Sequence, residues 1–175
     1  MTIYEKIGSL KDKKVLIVGD VLHSRVARSN IHGLQAAGAE IIISGPPTLV
    51  PLWLQSNDKD SPITYEPNLD VAIQGTDVVM ALRLQTERQA SGMLPSIREY
   101  TRRWQVTENR MVSANNSAII MHPGPLNEGI EISSSLAHSE VAAINEQVTN
   151  GVALRMALLY QLLTFNSGST EELAI

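Results

Sequence analysis

Unbroken runs of apolar, mostly β-branched residues recur along this chain at short intervals. They occupy residues 14–19 (KVLIVG), 40–44 (EIIIS), 77–82 (DVVMAL) and 117–121 (SAIIM), and 63–66 (ITYE) is a weaker candidate. A strand with one face in water alternates apolar and polar residues, whereas these runs do not alternate. They therefore predict strands that are buried on both faces, as in a parallel sheet covered by helices on each side.

The segments between these runs have helical spacing, and three of their residues carry further expectations. Thr48 and Asn68 are predicted to cap the helices that follow them. Gly151 lies inside the last helix, where glycine costs about 1 kcal/mol relative to alanine, so close packing is predicted there. Alternating strands and helices predict an α/β fold: a doubly wound, mostly parallel sheet of about five strands, Rossmann-like in architecture. The predicted helices cover residues 24–38, 49–55, 68–75, 94–104, 107–114 and 139–165.

Composition limits the class of protein. The chain has 175 residues, of which 43% are hydrophobic and 18% charged, and these values suit one globular domain with a sizeable core. Its formal net charge of -4 gives no support for a nucleic-acid or anionic-membrane surface. Without cysteine there is no disulfide or thiolate metal site. We expect a cytoplasmic protein with a domain at 1–165 and a flexible tail at 166–175.

Polar residues cluster in three loops that follow predicted strands. Ligands of doubly wound folds bind beyond the carboxyl ends of the strands, so these loops form the candidate site. The first loop, residues 19–25 (GDVLHSR), lacks the GxGxxG pattern of dinucleotide-binding folds. It offers Arg25 near a helix N-terminus, where backbone amides also favour anions. Taken alone, this segment favours a surface arginine with Ser24 as a simple helix cap.

The second loop places several hydrogen-bonding side chains directly after the strand at 77–82. Arg83, Gln85, Glu87 and Arg88 lie within six residues of each other. The planar guanidinium of arginine matches a carboxylate through two parallel hydrogen bonds. Gln85 can add a neutral donor, and Glu87 could hold one arginine in place. A solvated charged turn is an equally good interpretation of this loop alone.

The third loop begins HPGP at His122. Pro123 and Pro125 flank Gly124, which predicts a stiff turn, and a cis bond before Pro125 is compatible with the sequence. Such a turn presents carbonyl groups in fixed directions, as is needed to receive the protons of an amine. We expect His122 to be a structural hydrogen-bonding residue and not a general base. Together the three loops predict a site for a small amino acid with two carboxylates.

Four motifs make the sequence resemble a known family. Residues 19–30 (GDVLHSRVARSN), 77–89 (DVVMALRLQTERQ), 121–132 (MHPGPLNEGIEI) and 147–160 (QVTNGVALRMALLY) resemble, in order, the motifs of the C-terminal half of aspartate carbamoyltransferase catalytic chains. Residues 2–15 are similar to the interdomain helix and entry strand of that family. This half binds L-aspartate in the family, while the other half binds carbamoyl phosphate.

The resemblance implies an activity and roles for named residues. The family transfers the carbamoyl group of carbamoyl phosphate to L-aspartate in pyrimidine synthesis, works as a trimer and needs no metal or organic cofactor. Arg25 and Arg83 would bind the carboxylates of aspartate, with Gln85 assisting. Glu87 would orient Arg83, and Arg88 would bridge to the other domain.

In the third loop, the resemblance implies that backbone carbonyl groups contact the amine of aspartate. The carbonyls of Pro123 and Gly124 would face the attacking amine of aspartate, and Pro125 would support the turn. The sequence departs from the family at Glu128, where relatives with this type of loop usually carry arginine. That reversal could weaken aspartate binding or mark a specialised lineage.

A larger departure is that the family's phosphate-binding Ser-Thr-Arg-Thr-Arg motif and its His-Pro-x-x-Gln motif do not occur in this sequence. We therefore expect no carbamoyl transfer by this chain alone. Three alternatives remain open. A non-catalytic assembly or regulatory module is the main one. An ornithine carbamoyltransferase is disfavoured because its Ser-Met-Gly and His-Cys-Leu-Pro motifs are missing, and a dinucleotide-binding domain is disfavoured because GxGxxG is missing.

Overall fold

Strands and helices alternate along the chain in a computed structural model that describes residues 1–56, 61–85, 93–94 and 96–167, with side chains through residue 165. The strands are β1 (Lys14–Val18), β2 (Glu40–Ser44), β3 (Ile63–Tyr65), β4 (Val78–Ala81) and β5 (Ile119–Met121). The helices are α1 (Thr2–Ile7), α2 (Arg25–Ala36), α3 (Leu69–Ala72), α4 (Ile97–Trp104), α5 (Glu108–Met111), α6 (Ser134–Ala137) and α7 (Ile144–Ser167).

The five strands form one parallel sheet in the order β3-β2-β1-β4-β5. This confirms the predicted architecture. β1 lies at the centre, and Val18 at its end pairs with both Ser44 and Ala81. The order reverses between β1 and β4, and crevices at such reversals are where ligands bind in doubly wound folds.

The core lies on both faces of the sheet because successive strand side chains point to opposite sides. In β1, Val15 and Ile17 pack with the buried residues of α2, whereas Leu16 and Val18 pack with those of α3 and α4. All four side chains are fully buried. The absence of alternation in the apolar runs therefore follows from the helices that cover each side.

Short polar side chains cap four of the described helices, and Thr107 is the cap of α5. Ser24 Oγ accepts a hydrogen bond from the Ala27 amide at the start of α2, at 3.1 Å. Asn68 and Ser96 cap α3 and α4 in the same manner. At the other end of α2, Gly38 has a φ of +77°, a backbone conformation that glycine adopts without steric strain. The predicted caps at Ser24 and Asn68 are confirmed.

The predicted helix at 49–55 is wrong. Two short 3-10 turns, Pro47–Leu49 and Leu52–Leu54, occupy this region, because Pro51 lacks the amide that a continuous helix would need. Thr48 does not cap a helix either, since its hydroxyl donates to the carbonyl of Met93 at 2.6 Å. α3, α4 and α5 exist as predicted but are shorter than the sequence pattern indicated.

The last helix begins later than predicted. Residues 139–143 were expected to be helical, but α7 starts at Ile144. The amide of Ile120 donates to the carbonyl of Val141, and the amide of Ala143 donates to the carbonyl of Ile120, both at 2.9 Å. These bonds add the segment before α7 to the edge of β5. The backbone groups are thus engaged with the sheet and are not available for a helical turn.

α7 leaves the body of the protein after its first two turns. Asn150 still contacts Thr2 of α1, with 3.0 Å between Nδ2 and Oγ1, but every residue from Gly151 to Phe165 is exposed. A Cβ added at Gly151 would meet no atom within 4 Å. The predicted close packing at Gly151 is therefore wrong within the described part of this chain. α7 extends to Ser167, so the predicted tail begins inside it, and residues 168–175 lie outside the described residues.

Candidate functional site

The three polar loops start side by side at one edge of the sheet. β4 lies between β1 and β5, and the registers pair Val18 with Ala81 and Met80 with Met121. Because parallel strands end at the same edge, the segments that follow Val18, Leu82 and Met121 emerge as neighbours. The sheet order thus brings together the loops that the sequence singled out, at the point where the strand order reverses.

The first loop is organised by a buried carboxylate. Asp20 is fully buried, and its Oδ1 accepts the backbone amide of His23 at 3.1 Å. The same oxygen lies 2.9 Å from Nδ1 of the His23 ring. These contacts fold the loop so that Ser24 caps α2 and Arg25 becomes its first residue. Arg25 is exposed, so it places a cation in solvent at the N-terminus of α2.

The second loop follows β4 directly, and its described residues have no assigned helix or strand. Leu84 is buried, whereas Arg83 and Gln85 on either side of it are half-buried. This alternation in burial indicates that these two side chains lie on the side opposite Leu84. The anchoring of Leu84 in the core therefore fixes where Arg83 and Gln85 begin. Glu87 and Arg88, the remaining predicted residues of this loop, lie outside the described residues.

The third loop is a tight turn held by its own histidine. The peptide bond between Gly124 and Pro125 is cis, as the sequence allowed, and Gly124 has a φ of +65°. The Gly124 amide donates to Nδ1 of His122 at 3.0 Å, and His122 is fully buried. This confirms that His122 is a structural hydrogen-bonding residue. Pro123 is half-buried and Pro125 is exposed.

One side chain connects the third loop to the second. Asn127 Nδ2 donates a hydrogen bond to the carbonyl of Leu84 at 3.3 Å. Leu84 is the residue between Arg83 and Gln85 in the second loop. The two loops therefore have a fixed separation. Next to Asn127, Glu128 has its Oε1 3.3 Å from Nε2 of His138. The unusual negative charge at Glu128 thus faces a histidine on the surface.

Two buried polar residues under the loops, Glu131 and Tyr100, were not predicted from the sequence. Glu131 is 1% exposed, and its Oε1 accepts the amide of Asn127 at 2.7 Å. Burial raises the pKa of the Tyr100 hydroxyl well above its ordinary value, and the carboxylates of Glu131 and Asp20 raise it further. A signal existed for Glu131, since a lone carboxylate stands between two isoleucines in GIEI. None existed for Tyr100, which reads as an ordinary core aromatic residue of a helix.

The cavities of the protein coincide only in part with this edge. Pro123 lines a cleft of about 480 Å³ together with Gln147 and Arg155 of α7. A larger cleft, about 1340 Å³, lies between α3 and α4, away from the three loops, and arginines line part of it. The chemistry of the loops, and not cavity size, therefore identifies the candidate site.

The described residues contain no group of three or more histidine, cysteine, aspartate or glutamate side chains placed to hold a metal ion. Among the helices in that part of the chain, none has both the length and the apolar character needed to span a membrane. What the edge does offer is a pair of arginines, a glutamine and a rigid turn with two carbonyls. Groups of these types are suited to the carboxylates and the amine of a small amino diacid.

Similarity to known proteins identifies the family of this chain. The profile of the family described as aspartate/ornithine carbamoyltransferase, Asp/Orn binding domain, matches residues 11–162. The aspartate carbamoyltransferase catalytic subunit of Desulfitobacterium hafniense is 52% identical over 93% of this chain and 51% of its own length. The chain thus spans about half the length of the curated relatives it matches.

Solved structures give the same result for the fold. Aspartate transcarbamoylase from Trypanosoma cruzi, in complex with phosphate, has a TM-score of 0.73 and 26% identity, covering 91% of this chain and 52% of its own. Ornithine carbamoyltransferase from Pyrococcus furiosus has a TM-score of 0.76 and 24% identity, covering 90% of this chain and 52% of its own.

Proposed function

The chain belongs to the aspartate/ornithine carbamoyltransferase family and contains the family's Asp/Orn-binding domain; from this premise we propose that it binds L-aspartate as one half of an aspartate carbamoyltransferase. The reaction joins carbamoyl phosphate and L-aspartate to give N-carbamoyl-L-aspartate and phosphate. The aspartate nitrogen forms a bond to the carbamoyl carbon, and the bond from that carbon to the phosphate oxygen breaks.

The proposal assigns the two carboxylates of aspartate to arginines at neighbouring strand ends. Arg25 starts α2 after β1, and Arg83 follows β4 directly. Gln85 lies two residues on and adds a neutral donor. The observation that carries this assignment is the sheet order, since it makes the loops of β1 and β4 neighbours. Glu87 and Arg88 keep the supporting roles that the resemblance implies.

The rigid turn supplies the contacts to the nucleophile. We assign the carbonyls of Pro123 and Gly124 to the amine of aspartate, with Pro125 fixing the shape of the turn. Carbonyl oxygens accept N–H bonds and so hold the nitrogen in a fixed orientation towards the carbamoyl carbon. Catalysis in such a site rests on positioning and charge stabilisation, and neither of these requires a cofactor.

Aspartate is favoured over ornithine as the amino acid. Side chains of both candidate arginines are cationic, and ornithine carries a cationic side chain that they would repel. Curated relatives at 50% identity or more are called aspartate carbamoyltransferase catalytic subunits, whereas the ornithine enzymes match in fold at lower identity.

The exposed end of α7 supports a second part of the proposal, a partner that supplies the carbamoyl phosphate site. A helix that is apolar around its circumference is normally buried, but here the side chains stand in solvent. Since the chain spans about half of its relatives, we assign the carbamoyl phosphate-binding half to this surface. The exposed large apolar residues of α7 are Val148, Val152, Leu154, Met156, Leu158, Leu159, Tyr160, Leu162, Leu163 and Phe165.

The wider setting follows the resemblance. We propose a trimeric assembly in the cytoplasm once both halves are present. The main alternative is a non-catalytic assembly or regulatory module. It is favoured by Glu128, but the surface pairing of Glu128 with His138 supports a smaller effect of that charge on the site.

The decisive experiment titrates the purified chain with L-aspartate and follows backbone amide shifts by NMR. We expect weak binding that Arg83→Ala reduces at least tenfold, because a charged bidentate contact is lost. Arg83→Lys should recover only part of it, since lysine keeps the charge but not the planar fork. Arg98→Ala is the matched control: Arg98 is an exposed arginine on α4, and its removal should leave aspartate binding unchanged.

Two results would contradict the proposal. One is equal aspartate binding by the Arg83→Ala variant and the unaltered chain. The other is tight binding of a dinucleotide. For the reaction itself, we expect no carbamoyl transfer by the chain alone and restored transfer on mixing it with a separately made carbamoyl phosphate half. Continued inactivity of a mixture in which both halves bind their ligands would favour the non-catalytic alternative.

A further inference from the structure

His122 has a hydrogen-bond partner on one ring nitrogen and a carboxylate oxygen close to the other. Nδ1 receives the backbone amide of Gly124 at 3.0 Å, and Nε2 lies 3.3 Å from Oε1 of Glu131. A backbone N–H can only donate, so Nδ1 must be the unprotonated nitrogen of the ring. A neutral ring then carries its proton on Nε2, facing the carboxylate. Nε2 makes no hydrogen bond within the described residues, but His122 is fully buried and is therefore not placed to meet a substrate as a general base.

Glu131 joins this histidine to the other side of the turn. Its Oε1 also accepts the backbone amide of Asn127 at 2.7 Å, and both His122 and Glu131 are almost fully buried. Asn127 in turn donates its side-chain amide to the carbonyl of Leu84. A continuous chain of polar contacts therefore runs from Gly124 in the turn to Leu84 in the second loop.

The turn offers few backbone donors, and the buried pair takes two of them. Pro123 and Pro125 have no amide hydrogen, and the amides of Gly124 and Asn127 go to His122 and Glu131. Within the described residues, the carbonyl oxygens of Pro123 and Gly124 accept no hydrogen bond. The pair thus binds the donors of the turn and leaves its carbonyls available on the outside.

We propose that His122 and Glu131 are a positioning pair that orients the turn carbonyls towards the amine of the amino acid, an inference that rests on the proposed function. The pair acts through the backbone and does not touch substrate. Its geometry makes the turn selective for a ligand that carries an N–H donor. The arginines bind the carboxylates of the same ligand.

The first test needs no ligand. The ¹⁵N shifts of His122 in the unaltered chain should report a protonated Nε2 and an unprotonated Nδ1, and hydrogen exchange of the Gly124 amide should be slow. His122→Asn keeps an acceptor where Nδ1 lies and should preserve that protection. His122→Gln puts its amide near Nε2 instead and should lose the protection. A proton found on Nδ1, or equal Gly124 protection in both variants, would overturn the inference.

The second test separates the amine from the carboxylates. Succinate has both carboxylates of L-aspartate but no amine, so its binding should not depend on the turn. We expect His122→Gln to reduce L-aspartate affinity roughly tenfold, as for loss of one well-aligned hydrogen bond, while succinate affinity changes less than about twofold. His122→Asn should keep the preference for L-aspartate. Glu131→Gln keeps the shape of the side chain and removes its charge, and it should also reduce the preference for L-aspartate. It replaces His122→Gln as the test variant if His122→Gln does not fold.

The outcomes distinguish this inference from the proposed function. An equal loss of both ligands in His122→Gln would mean a merely structural role, and an unchanged preference would mean no role at the turn. If the unaltered chain binds neither ligand and Arg83→Ala makes no difference, the proposed function fails and the role towards an amine fails with it. The tautomer of His122 would still decide whether the pair orders the turn.

Discussion

Gly19 offers a sharp test of how the candidate site is packed. It is the first residue after β1 and has a φ of +118°, a conformation that residues with a side chain rarely adopt. A Cβ placed on it would lie 2.7 Å from the Tyr100 hydroxyl and 3.3 Å from the carbonyl of Leu82. Gly19→Ala must therefore strain the backbone and also collide with the tyrosine.

The two contributions can be separated through Tyr100. Backbone strain of this kind costs about 1–3 kcal/mol, and overpacking a buried site costs about 1–3 kcal/mol more. The Tyr100 hydroxyl has no hydrogen-bond partner within the described residues, so Tyr100→Phe should be close to neutral on its own. In the double variant the nearest atom is gone, and Gly19→Ala should cost only the backbone share of about 1–3 kcal/mol.

Urea unfolding of the four proteins in this cycle measures the effect. We expect Gly19→Ala to lower the free energy of unfolding less in the Tyr100→Phe background, with a coupling of about 1–3 kcal/mol. Gly75→Ala is the matched control: its φ is +65° and a Cβ there meets nothing within 4 Å. Its effect should not depend on Tyr100. Additivity of Gly19→Ala and Tyr100→Phe within about 0.5 kcal/mol would refute the collision.

Three further predictions concern stability and assembly. Ser24→Ala should lower the free energy of unfolding by about 1 kcal/mol in urea, because the amide of Ala27 loses its cap. Burial raises the pKa of Asp77, but hydrogen bonds from the Lys14 amide and the Asn115 side chain outweigh this and lower it. The resulting stabilisation is complete above the unfolded-state pKa of about 3.9 and is lost as pH falls through the lower folded-state pKa, so urea midpoints of Asp77→Asn and the unaltered chain should differ at pH 7 and draw together as pH falls below about 4. Replacing four exposed apolar residues of α7 by lysine or glutamate should abolish concentration-dependent self-association in sedimentation velocity, whereas the unaltered chain should self-associate.

Local sequence was sufficient to predict the strands because burial on both faces leaves a mark in each run. The run at 40–44 became β2 with the predicted bounds. Local sequence was not sufficient to predict the start of α7, because the apolar spacing of Val141 and Ile144 suggested one continuous helix. The bonds of Val141 and Ala143 to Ile120 decided otherwise, and a contact across 20 residues leaves no local pattern.

The candidate site shows the same division. Arg83 and the Pro-Gly-Pro turn were predicted from residue type and position, since their chemistry is unusual after a buried strand. Glu131 was missed because a charged residue in a short loop is normally exposed. Only the fold reveals that it lies beneath that loop with the Asn127 amide and His122 as partners. Buried residues that hold a loop in place are thus harder to recognise in sequence than candidate ligand-binding groups.

The proposed arginine site and the exposed apolar surface of α7 have one explanation if the proposed partner covers both. An exposed arginine such as Arg25 gains little from a carboxylate in water, because the high dielectric constant and salt weaken the attraction. The same contact strengthens when a second surface excludes water from the edge. Burial of α7 would provide the apolar area that drives this association. Assembly would then raise aspartate affinity and add the carbamoyl phosphate site in one step, so we expect the lone chain to bind aspartate weakly.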